Sequence, residues 1–152
     1  VLVLPRPADQ PTTGGSFRLS RQLLGDSVGA VRCLLWIPGR GRRPTPGRVV
    51  AVGRGFGEGT TPSWVALARE LAERRRQALT LLTLAAPPVG QPGGPPGTRW
   101  RSLRDAGGAR LLAHLQAEGA TELILERALA ELAPQLLDAA LERLAIPVTV
   151  LD

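Results

Sequence analysis

Short apolar runs alternate along this chain with amphipathic stretches of helical length, and that alternation restricts its fold more than any other feature. Residues 1–4, 31–37, 48–52, 79–85, 121–126 and 146–151 read as strands. Antiparallel neighbours can be joined by tight turns, whereas parallel neighbours need a crossover, usually a helix. Helix-length connections between apolar strands therefore predict an α/β fold. The expected architecture is a three-layer α/β/α domain, Rossmann-like, around a mostly parallel sheet of about six strands with right-handed crossovers.

The helices have their own signals. Ser16 is a candidate N-cap for a short helix reaching Leu24. Thr61-Pro62 combines a hydroxyl cap with a proline at the first helical position, and the helix it opens reaches Gln77. Trp64, Leu67, Ala68 and Leu71 form its apolar stripe. Ser102 with Asp105 resembles a capping box for a helix to Glu118, which Gly119 would stop. Leu129, Leu132, Ala133, Leu136, Leu137, Ala140, Leu141 and Leu144 follow a helical period, and Pro134 inside that stripe must start or kink the helix there.

The 152 residues suit one domain. Within it, 1–37 forms a β-α-β unit, 38–48 a Gly/Pro/Arg linker, and 49–152 the main β/α unit with a low-complexity, mobile loop at 86–98. A chain that opens and closes on strands is expected to be part of a longer one. At 43% hydrophobic residues the chain can bury a core. No apolar run reaches the roughly 18–20 residues of a membrane span, and no signal-peptide pattern is present, so the expected location is the cytoplasm. Cys33 is the single cysteine, which excludes a disulfide framework or a Cys-rich metal site.

Ligands of open α/β sheets bind beyond the carboxyl ends of strands. Two loops qualify. In 53–61, Gly53, Gly55, Gly57 and Gly59 let the backbone approach a ligand, and Thr60 and Thr61 lead into a helix whose free N–H groups attract anions. The spacing is neither the dinucleotide fingerprint nor a P-loop, which needs a lysine this chain lacks. In 12–16, Thr13, Gly14, Gly15 and Ser16 offer backbone donors and hydroxyls to a phosphate or sugar oxygen. Each loop is equally described as a surface turn before a helix.

The net charge is +6 and every basic residue is arginine. Residues 40–48 are rich enough in arginine to touch nucleic acid or an anionic membrane surface, but no aromatics are interleaved to stack bases, and the segment reads as a solvated linker. His114 has no obvious partner, no serine has a base, and no catalytic or metal-binding set emerges. Glu122, Glu126, Glu131 and Asp138 read as solvated faces, and Trp36, Trp64 and Trp100 as core anchors.

Residues 49–85, a strand, a capped helix and Leu-Thr-Leu-Leu-Thr-Leu, resemble the opening of universal stress protein (UspA-like) domains. Residues 121–152, with Glu-Leu-Ile-Leu-Glu, a helix and Ile-Pro-Val-Thr-Val-Leu, resemble that family's closing unit, and 1–37 a second copy of it. The resemblance implies a regulatory or dimerising cytosolic domain, a homodimer, and attachment to a bacterial membrane transporter. It would also bring a nucleotide, held by G-x2-G-x9-G-[ST]. Gly15 and Gly25 keep that spacing, but Thr12 and Asp26 replace its ends and Gly53 replaces the acidic residue after the first strand, which argues against ATP. A second resemblance, of 1–37 and 146–152 to the N-terminal acceptor-binding domain of GT-B glycosyltransferases, implies a transferase half instead.

Overall fold

The computed structural model describes residues 2–5, 33–37, 47–55, 61–85, 94–103, 108–143 and 146–152. Among the described residues there are seven strands: β1 (Leu2–Pro5), β2 (Cys33–Ile37), β3 (Arg48–Gly53), β4 (Ala78–Thr83), β5 (Arg99–Ser102), β6 (Ala120–Glu126) and β7 (Val148–Leu151). The helices are α1 (Ser63–Arg75), α2 (Gly108–Ala117), α3 (Arg127–Leu132) and α4 (Pro134–Arg143). The sheet order is β1-β2-β7-β6-β3-β4-β5. The five strands from β7 to β5 are all parallel. β1 and β2 are parallel to each other, but β2 meets β7 antiparallel, so the pair runs against the other five.

Burial on both faces explains why these strands are apolar throughout rather than alternating. Val49, Ala51, Leu79, Leu81 and Ile124 pack against Trp64, Val65, Ala68 and Ala72 of α1. The residues between them, Val50, Val52, Leu82, Leu123 and Leu125, join Val148 and Val150 against α2, α3 and α4 on the opposite face. Each such Leu or Val contributes about 1.5–3 kcal/mol by leaving water. The result is the expected three-layer α/β arrangement.

Four local features, three of them differences from the sequence reading and the Pro134 break as expected, have physical causes. Arg99–Ser102 is an extra strand: it pairs with β4 from Thr80↔Arg99 to Thr83↔Ser102. Pairing satisfies the backbone groups of β4 along that edge, and Ser102, expected to cap the next helix, belongs to this strand instead. At α1, Pro62 rather than Thr61 is the N-cap; its carbonyl accepts from the Val65 and Ala66 amides, with no side-chain cap. Pro134 divides the long apolar stripe into α3 and α4, taking the first position of α4, where its missing N–H leaves no bond unmade. Finally, the end of the 86–98 loop is a hydrogen-bonded turn, the Thr98 amide and hydroxyl donating to Pro95 O at 3.1 and 2.6 Å. Residues 6–32, with the short helix expected there, lie outside the described residues, as do 86–93.

Candidate functional site

Chain order along the parallel strands fixes where a crevice forms. From β3 the chain crosses by α1 to β4 on one side, and from β6 by α3 and α4 to β7 on the other. The two crossovers lie on opposite faces of the sheet. The carboxyl ends of β3 and β6 are therefore the switch point, where open α/β sheets take their ligands.

Gly53 and Arg54 arrive there from β3, Glu126 and Arg127 from β6. The Arg54 backbone N–H donates to Glu126 Oε2 at 2.6 Å, and its guanidinium reaches Oε1 at 3.3–3.4 Å. The amide that a phosphate would use in such a crevice is thus engaged by the chain's own carboxylate. Next to it, Arg127 Nε lies 2.7 Å from Asp152 Oδ1. These two described arginines at the rim each have a carboxylate partner.

Gly53 carries a packing role at this position. A Cβ there would lie 2.9 Å from Trp64 Nε1 and closer still to the ring carbons, so the indole sits directly on the glycine backbone. Gly55 is similarly close to Ala85, at 2.9 Å. Thr61 is exposed before α1. Gly57, Gly59 and Thr60 lie outside the described residues, as do Thr13, Gly14, Gly15 and Ser16. β1 runs against β3, so its last residue, Pro5, lies at the amino rim of the five-strand unit, whereas Gly53 lies at the carboxyl rim.

That amino rim holds a cluster missed in the sequence. Glu118, directly after α2, has a side chain only 5% exposed. It faces Arg48 Nε at 3.4 Å, Arg101 Nη2 at 3.4 Å and Arg99 Nη1 at 3.9 Å, and accepts from the Thr80 hydroxyl at 3.0 Å. Arg48 is no part of a solvated linker: Nη1 also donates to Gly97 O at 3.0 Å and to Leu79 O at 3.3 Å. Gly47 beside it has no room for a side chain, since a Cβ would lie 2.7 Å from Gly119 O. The partners are distant in sequence, and the only local signal was an arginine run beside an apolar strand.

Glu122 and Glu126 are not on solvated faces either. Glu122 is buried under α1 and ion-paired with Arg75. Burial pushes its carboxyl above the usual range, and the Arg75 guanidinium pulls the other way. Glu131 is exposed, and the Asp138 side chain lies outside the description. Trp64 is core, whereas Trp100 is half-buried with Nε1–H donating to Thr83 Oγ1 at 3.3 Å. His114 is half-buried on α2. A cavity of about 580 Å³ opens between the end of α1 and the 94–96 turn, with Glu73, Arg76 and Gln77 as its polar lining. Among the described residues no three His, Cys, Asp or Glu side chains converge as a metal site, and no helix is long and apolar enough to cross a membrane.

Family models, curated proteins and solved structures compared with the chain give no match.

Proposed function

We propose that this chain is a non-catalytic regulatory domain of the universal stress protein type. It works in the cytoplasm by changing its association with a second copy or with an attached larger chain such as a membrane transporter. One observation supports the reading above others: the Glu126 carboxylate holds the Arg54 amide at 2.6 Å in the switch-point crevice. An incoming phosphate must displace a resident anion and then stand beside it, which makes the crevice a poor nucleotide grip. The same contact makes a latch with two positions. It is closed with Glu126 on Arg54, and open when another anion takes Arg54, and the chain from Arg54 leads directly towards α1.

Sedimentation velocity on wild type and Glu126→Gln, with and without ATP, AMP, inorganic phosphate or a UDP-sugar, tests this reading. The expected result is a dimer whose proportion changes on opening the latch, a wild type unaffected by ATP, and a Glu126→Gln variant that binds phosphate about tenfold more tightly. A monomer under every condition would overturn it. Stabilisation of the wild type by a UDP-sugar would replace it with the glycosyltransferase reading.

A further inference from the structure

We propose that β5 is a docking edge for an extended, acidic polypeptide segment, which adds to the sheet as a further strand and sets alternate carboxylates against Arg99 and Arg101. The site is separate from the β3–β6 crevice, and the proposal stands or falls without it.

Three observations carry it. β5 ends the sheet, and among the described residues no strand pairs with its outer side. Its backbone donors and acceptors there can be satisfied by another polypeptide in extended form. Second, the register places Trp100 beside Leu81, towards the α1 face, so Arg99 and Arg101 share the other face, at the two-residue repeat of a strand. They remain 57% and 49% exposed. Third, the charge there is unbalanced. Among the described residues Glu118 is the one carboxylate facing Arg48, Arg99 and Arg101; it accepts from the Thr80 hydroxyl at 3.0 Å and lies 3.4 Å from Arg48 and Arg101 and 3.9 Å from Arg99. Among the described residues, one carboxylate against three guanidiniums leaves a net two positive charges in this cluster.

Those facts also select the occupant. A second copy pairing through β5 would set arginines against arginines, and like charges directly opposite each other destabilise a sheet. An apolar strand would leave the surplus charge unanswered. A nucleic acid could answer the charge but not the row of backbone N–H and C=O groups. A strand with Asp or Glu at alternate positions answers both.

The test is fluorescence anisotropy of the whole chain with a labelled peptide of alternating Glu and Val. Binding is expected to weaken about tenfold or more in 0.5 M salt and in the Arg99→Glu/Arg101→Glu variant. The variant should in turn accept the Lys-Val peptide. Methylating alternate backbone nitrogens of the Glu-Val peptide removes strand donors without touching its charge, and should abolish binding. No binding by the Glu-Val peptide, equal binding by its N-methylated form or by Lys-Val, or tighter binding of an oligonucleotide would each overturn the proposal. The N-methyl comparison uses only the wild-type chain, so it decides the matter even if the double variant does not fold.

Discussion

The two rims of the five-strand sheet use arginine in opposite ways. At the carboxyl rim Arg54 meets Glu126 and Arg127 meets Asp152, each cation with its own anion. At the amino rim Arg48, Arg99 and Arg101 share Glu118. The first arrangement engages the switch point with the chain's own carboxylate; the second leaves Arg99 and Arg101 half exposed. A chain whose only basic residue is arginine can therefore build both a seal and an open surface, and the number of carboxylates within reach decides which.

Removing the shared carboxylate should break the comparison most severely. Glu118→Ala leaves Arg48, whose side chain is 14% exposed, without its anion, and should lower the urea-derived unfolding free energy by about 3 kcal/mol. A loss well under 1 kcal/mol would mean that the rim is held by backbone carbonyls alone. Shape rather than charge should dominate at the other rim. Gly53→Ala drives a methyl into the Trp64 indole, with an expected cost of about 2 kcal/mol, read as a drop in Tm. Glu126→Gln should cost less than about 1 kcal/mol in the same measurement, because Arg54 is 56% exposed and solvent screens the pair.

The smallest effect concerns pH. Burial raises the Glu122 carboxyl, so the folded chain keeps that proton to higher pH than the unfolded chain does. Its stabilising contribution is complete below the ordinary carboxylate range and is lost as pH rises through the raised value. Tm measured across that window should fall for the wild type relative to Glu122→Gln, with the gap closing under acid conditions. A gap that widens on acidification would reverse the sign and point to the Arg75 ion pair as the stronger influence.

The central strands were legible because residues such as Val49–Val52 and Leu79–Leu82 are apolar on both faces, a pattern that needs helices above and below. The break at Pro134 was legible for an equally local reason. β5 was not: Arg-Trp-Arg-Ser has no apolar run, and only the bonds it makes to β4 render it a strand. Gly53 was visible as the glycine that ends a strand before a helix, but the indole lying on it was not. Glu126 and Glu118 escaped for a common reason. Each finds its arginine across the sheet, on another strand or loop, and nothing in the spacing of residues along the chain encodes that meeting.

The reversed direction of β1 and β2 has a consequence for the order of assembly. β2 joins the five-strand unit through β7, with Cys33 beside Leu151, and β7 in turn pairs with β6. Closing so long a loop carries a large entropic penalty, and contacts of that separation form slowly. β1 and β2 are synthesised before β7 and must wait for it, so this pair joins the five-strand unit late.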